Sequence, residues 1–182
     1  MIDVRWYGRG GQGAFTAARL LGRMTTVYGD SYALAYPSFG PERRGAPVWS
    51  FTRIDNKKII DRSQPNVCDY LIILDETLVN ENICNVLKDD GIVIMNTASS
   101  EKYNFIKQKL VTLDATKMAL ETLGRAITNV ALLGAFVSVS GIVDMETADK
   151  VIKEHFSLTV YEKNRELMEA AYAAVKGENF NG

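Results

Sequence analysis

Histidine, cysteine and proline are scarce in this chain, and each scarcity excludes something. Its 182 residues include one histidine, two cysteines and four prolines. The lone His155 lies late in an amphipathic stretch beside Lys153 and Glu154. No serine or cysteine nucleophile pattern surrounds it, so the sequence places it at the surface rather than in a triad. Cys68 and Cys84 are too few and too poorly spaced for a zinc or iron–sulfur site. They are compatible with a reducing cytoplasm. Charge of one sign is also missing: the formal net charge is −1, so nothing drives binding to nucleic acid or to an anionic membrane. No run reaches the apolar length of a membrane span, and the N-terminus has no basic-then-apolar signal. No acid–base pair, metal box or nucleophile elbow is present. The expectation is a cytoplasmic protein that lacks the apparatus of a self-sufficient enzyme.

What is present reads as one α/β domain over residues 1–176 with a polar tail, 177–182. Ile2 to Tyr7 is a buried strand. Ala14, Ala17, Ala18, Leu21 and Met24 then recur at helical spacing, with Arg19 and Arg23 on the opposing side. Ser31 to Tyr36 is a second strand ended by Pro37. Val48 to Phe51 and Ile59-Ile60 flank the polar turn Asp55-Asn56-Lys57 and suggest a hairpin. Tyr70 to Leu74 and Gly91 to Met95 are short all-apolar runs, the mark of buried parallel strands; Val111 to Leu113 adds another. From Ala115 onward the pattern is helical. Ala131 to Val139 is apolar on nearly every face, so it is either deeply buried or an interface helix. The alternation predicts a three-layer α/β/α domain with a mostly parallel sheet and a hairpin insertion, whose ligands bind at the carboxyl ends of the strands.

Two loops fall at those ends. Gly8-Arg9-Gly10-Gly11-Gln12-Gly13 joins the first strand to the first helix, where backbone N–H groups can converge on an anion. Pro37 to Pro47 carries Glu42-Arg43-Arg44, bracketed by Gly40 and Gly45 and therefore irregular. Arginine adds the fork that grips phosphate or carboxylate. Gly8, Gly10 and Gly13 also fit a dinucleotide fingerprint, but the second strand ends Ala35-Tyr36-Pro37 without the acid that would hold a ribose. That disfavours a nicotinamide dehydrogenase. Two plainer readings stay open. The glycines can serve close packing alone, and the arginine trio can be solvated loop charge, one arginine pairing with Glu42. Gln12 is either a donor in the site or an exposed polar residue. Asp75 and Asp114 end apolar strands as site acids or as caps.

These residues resemble a known family. The glycine loop, Glu42-Arg43-Arg44-Gly45-Ala46-Pro47, Arg62-Ser63-Gln64-Pro65 and the later Asn129 to Phe136 segment are similar, in order, to the gamma subunits of pyruvate:ferredoxin oxidoreductases, within the 2-oxoacid:ferredoxin oxidoreductases. The resemblance covers nearly the whole chain. The Glu-Arg-Arg-Gly-Ala-Pro run resembles the pyruvate and branched-chain members more than those acting on 2-oxoglutarate or indolepyruvate.

The resemblance implies a multi-subunit enzyme that oxidatively decarboxylates a 2-oxoacid, reduces ferredoxin and forms an acyl-CoA. It places thiamine diphosphate and the iron–sulfur clusters in partner subunits, and leaves coenzyme A as the ligand of this chain. Gly8, Arg9, Gly10, Gly11, Gln12, Gly13, Glu42, Arg43 and Arg44 are then the candidate binding residues, with no catalytic or metal residue of the chain's own. The alternatives are a purely structural docking subunit, in which the arginine loop and apolar helix are contact surfaces, and a free-standing nucleotide-binding protein.

Overall fold

Strand β1 (Ile2–Arg9) sets the layering by its alternation. Val4 and Trp6 enter one core, while Tyr7 packs against a second on the opposite face. The computed structural model describes residues 1–38 and 44–176. Among these are α1 (Ala14–Val27), β2 (Tyr32–Pro37), β3 (Pro47–Asp55), β4 (Cys68–Ile73), β5 (Leu87–Asn96), β6 (Lys109–Leu113), α2 (Ala115–Leu123), α3 (Asn129–Ser140), α4 (Met145–His155) and α5 (Leu158–Val175). The tail from 177 onward, Glu42 and Arg43 lie outside the described residues.

The strands form one sheet in the order β2-β3-β1-β4-β5-β6. β4, β5 and β6 continue parallel to β1, whereas β3 is antiparallel to both β1 and β2. Five strands therefore point one way and β3 alone runs back. The hairpin is β2–β3, and the arginine loop is its turn. This corrects the expected pairing of Val48 to Phe51 with Ile59-Ile60. Both edges of β3 are already taken, and Ile60 is 85% exposed. After Asp55 the chain turns through a Lys57 N–H bond to Asp55 Oδ1 (3.2 Å) and leaves the sheet.

All five α-helices share one face of the sheet. They close over Val4, Trp6, Ile72, Ile94 and Val111. The opposite layer is made of short 3₁₀ turns, Glu76–Leu78, Ile83–Val86 and Ser100–Tyr103, over Leu71, Ile73, Val93 and Met95. Helix α3 explains its own apolar sequence. It touches α1, α2, α4, α5 and β5, and Asn129 to Val137 are buried, with only its last turn, Ser138 to Ser140, half-buried. Burial within the chain therefore accounts for the apolar run from Ala131 to Val137. Phe136 packs edge-on to Tyr70 (5.1 Å between ring centroids), and burying such a ring contributes about 2–3 kcal/mol. Gly134 lets α3 approach α5, because a Cβ there would run into the backbone carbonyl of Met168.

A strap crosses the second face over β1 and β3, and it contains the Arg62 to Pro65 segment. Arg5 donates to the carbonyls of Pro65 and Asn66, with its guanidinium 5.5 Å from the Phe51 ring centroid. Arg53 pairs with Asp3 (2.8 Å), and both Arg53 and Tyr36 donate to the Ser63 carbonyl. These buried arginines satisfy a backbone that has no strand partner.

Candidate functional site

The sheet reverses its winding between β1 and β4: from β1 the chain goes outward to β2, from β4 outward to β5 and β6. A crevice is expected at the carboxyl end of such a switch point, and the glycine loop lies there. Gly11 (φ 95°) and Gly13 (φ 82°) take left-handed backbone, which only glycine adopts at little cost. Gly13 has a second constraint, since a Cβ there would sit 2.6 Å from Asn129 Nδ2. Asn129, at the start of α3, donates that amide to the Gly13 carbonyl (3.3 Å).

The two loops singled out in the sequence are joined directly. Gly10 N–H donates to the Ala46 carbonyl (2.8 Å), and Gly45 N–H donates to the Gly10 carbonyl (3.1 Å). Arg44 is exposed and makes no hydrogen bond or ion pair among the described residues. Its Cγ lies 4.0 Å from where a Gly11 Cβ would stand, which sets its stem over the glycine loop.

Arg9 faces inward instead. Its guanidinium donates to Asp75 Oδ2 (2.9 Å), the Gly45 carbonyl (3.1 Å) and Thr77 Oγ1 (2.9 Å). Gln12 bridges the same elements, donating Nε2 to Asp75 Oδ2 (3.0 Å) and accepting from Arg9 N–H (2.7 Å). Asp75 also caps the following 3₁₀ turn through Thr77 N–H (3.0 Å). Burial pushes the Asp75 carboxyl up, but hydrogen bonds from Thr77, Gln12 and Arg9 outweigh it and hold it below the ordinary value. The sequence left Asp75 between site acid and cap. It is the cap and also the hub that ties the glycine loop to β4. The available signal was an acid immediately after a buried strand at the switch point.

Two hollows flank the glycine loop, and they differ in charge. The larger, about 410 Å³, opens over β4, β5 and α2 between Asp75, Glu76, Thr97, Asp114 and Thr116. Glu76 accepts from Thr97 Oγ1 (2.5 Å) and Tyr103 OH (2.8 Å), bonds that keep its carboxyl below the ordinary value. Asp114 caps α2 through Lys117 N–H (2.8 Å). Three carboxylates make this side hostile to phosphate. The other hollow, about 280 Å³, lies between Gly11, Gly13, Phe15, Thr16, Ser38 and Trp49. There the N–H groups of Gly11, Gly13, Ala14, Phe15 and Thr16 have no acceptor among the described residues. They sit at the positive end of the α1 dipole.

Sequence reasoning missed Glu76, an exposed-looking acid after β4, and Asn129, whose Oδ1 is buried without a partner. No group of three or more His, Cys, Asp or Glu residues among the described ones is placed to hold a metal ion. His155 is exposed, away from both loops' hydrogen-bond network. No helix among the described residues is long and apolar enough to cross a membrane.

An α/β domain with interlocked glycine and arginine loops at its switch point is the class that the geometry defines. The chain belongs to the pyruvate ferredoxin/flavodoxin oxidoreductase family, whose pattern matches residues 3–174. It is 45% identical to pyruvate synthase subunit PorC of Methanothermobacter thermautotrophicus, over 97% of each chain. It is 46% identical to the common gamma subunit of the pyruvate/ketoisovalerate oxidoreductases of Pyrococcus furiosus, over 94% of this chain and 96% of that one. The crystal structure of pyruvate oxidoreductase subunit PORC from Thermotoga maritima superposes with a TM-score of 0.83 at 33% identity, covering 94% of this chain and 95% of that one.

Proposed function

We propose that the chain is the gamma subunit of a cytoplasmic, multi-subunit 2-oxoacid:ferredoxin oxidoreductase. The reaction is pyruvate plus coenzyme A plus two oxidised ferredoxins to acetyl-CoA, CO2 and two reduced ferredoxins, with one proton released. Near-full-length similarity to subunits named for pyruvate supports the substrate. Thiamine diphosphate and the iron–sulfur clusters sit in partner chains and carry the chemistry, so this subunit turns over only in the complex. Its own part is to bind and orient coenzyme A and to join the assembly.

The observation that carries the coenzyme reading is the smaller hollow, lined by N–H groups at the start of α1 that have no acceptor among the described residues, with the stem of Arg44 beside Gly11 at its edge. Coenzyme A carries a diphosphate and a ribose phosphate, and the diphosphate fits this edge. Gly8, Gly10 and Gln12 shape the loop, while Arg9 locks it to Asp75 and adds positive field. Glu42 and Arg43, next to Arg44 in sequence, remain candidates that lie outside the described residues. The acidic hollow across the loop keeps the anionic end of the ligand on one side.

The test is anaerobic capture of the tagged chain with its companions. Co-purifying thiamine- and iron-bearing subunits that reduce ferredoxin with pyruvate and coenzyme A support the proposal. A panel of branched-chain 2-oxoacids, 2-oxoglutarate and indolepyruvate sorts the substrate. A lone, colourless, inactive chain refutes it.

A further inference from the structure

A third hollow, about 40 Å³, adjoins the proposed diphosphate edge. It is lined by Phe15, Thr16, Arg19, Leu20, Arg23 and His155, and it shares Phe15 and Thr16 with the 280 Å³ hollow beside the glycine loop. We propose that Arg19, Arg23 and His155 form a second anion subsite, which takes the terminal 3′-phosphate of the coenzyme whose diphosphate lies at the glycine loop. The inference rests on the coenzyme reading above.

Three basic groups converge there with too little negative charge to match them. Arg19 stacks on Phe15 (5.8 Å to the ring centroid) and has no ion pair among the described residues. Arg23 pairs with Glu154 (2.7 Å), a carboxylate that also accepts from Tyr28 OH. The other charged residues of the histidine's own helix, α4, are engaged elsewhere: Lys150 with Glu146, Asp149 with Tyr161 and Arg165, and Lys153 over the Tyr161 ring. Burial, then the charges of Arg19 and Arg23, hold the His155 imidazole below its ordinary value. Mutual repulsion of this kind is relieved when an anion joins the group.

Size and spacing select the anion. A space of about 40 Å³ is close to the volume of one or two water molecules. It admits one compact group and excludes a nucleoside. Phe15, Arg19 and Arg23 follow one another at i, i+4 and i+8 on α1, so they share a face. From the first turn of α1 to Arg19 is roughly 7 Å along the axis, about the span of one ribose. A phosphate monoester on that ribose reaches the Arg19 fork while the diphosphate stays on the N–H groups.

The experiment compares coenzyme A with 3′-dephospho-coenzyme A in the assembled holoenzyme, for the unaltered chain and for Arg19→Ala and Arg44→Ala. The expected result is a KM for coenzyme A at least about tenfold below that for the dephospho form, a preference that Arg19→Ala erases. Since His155 is the single histidine of the chain, its ring proton resonances give a second readout on the full chain. Coenzyme A raises its titration midpoint by roughly one pH unit and the dephospho form does not. A KM ratio unmoved by Arg19→Ala, or both KM values raised equally, overturns the subsite. If Arg44→Ala raises both KM values in that event, the coenzyme reading stands alone. If neither variant moves either KM, both readings fall.

Discussion

Arg9 Nε lies 2.9 Å from Asp75 Oδ2, an ion pair that bridges the ends of β1 and β4. The same carboxylate receives Gln12, and the same guanidinium reaches the arginine loop at the Gly45 carbonyl. One contact therefore fixes the glycine loop relative to the sheet, the second loop and the crevice. It also accounts for a cation within a glycine turn: Arg9 sets the loop's shape, which leaves Arg44 as the outward-facing arginine of the two loops among their described residues.

Asp75→Ala frees Arg9 and Gln12 from their shared acceptor and removes the 3₁₀ cap. The expected cost is about 1–2 kcal/mol, read as a lower denaturant midpoint of the chain. Because the folded-state value of Asp75 is depressed, its stabilisation is complete above the ordinary carboxylate range and is lost as pH falls through the lower folded value. Asp75→Asn therefore flattens the acid limb of a stability–pH profile, which a denaturation series from neutral pH downward measures.

Gly13→Ala and Gly45→Ala separate strain from collision. Both positions have φ 82°, but only at Gly13 would a Cβ strike another side chain, that of Asn129. Gly45→Ala costs about 1 kcal/mol of backbone strain. Gly13→Ala costs roughly twice that or more, and it displaces the start of α1. Parallel thermal melts of the two variants check the difference.

Gly134→Ala drives a methyl into the Met168 carbonyl and separates α3 from α5. Overpacking against backbone costs about 1–3 kcal/mol. Equilibrium unfolding shows the loss, and a partly molten near-UV signal accompanies it.

Cys68 is buried with its Sγ 3.1 Å from the Val86 carbonyl, and burial pushes its thiol up to about 12. Cys84 is half-buried and shifted the same way. At pH 8 the folded chain leaves Cys68 unlabelled by iodoacetamide and labels Cys84 slowly, whereas the unfolded chain labels both. Mass spectrometry of the alkylated peptides reads the outcome.

The sequence made the strands and the special loops legible because their signals are local. Apolar runs such as Tyr70 to Leu74 need only burial on both faces, and Gly11 and Gly13 need only a positive φ. The pairing of β3 was not legible, since its partners come from opposite sides in sequence and its turn is the unusual arginine loop. Ile59-Ile60 looked like a strand through composition alone, and only the occupied edges of β3 rule it out. The inward set of Arg9 was hidden for a similar reason: its acceptor, Asp75, lies just past the end of another strand, β4. Ala131 to Val139 read equally well as buried or as interface until the elements around α3 were in place.

The most direct test of the central claim is the KM for coenzyme A of a complex carrying Arg44→Ala. Arg44 has no hydrogen-bond or ion-pair partner among the described residues, so its removal leaves the fold and the loop-to-loop hydrogen bonds intact. The account predicts that the variant assembles with its companion subunits and that KM for coenzyme A rises about tenfold, with KM for pyruvate unchanged. An assembled complex with an unaltered KM for coenzyme A would contradict it, and the loop would then be a docking surface.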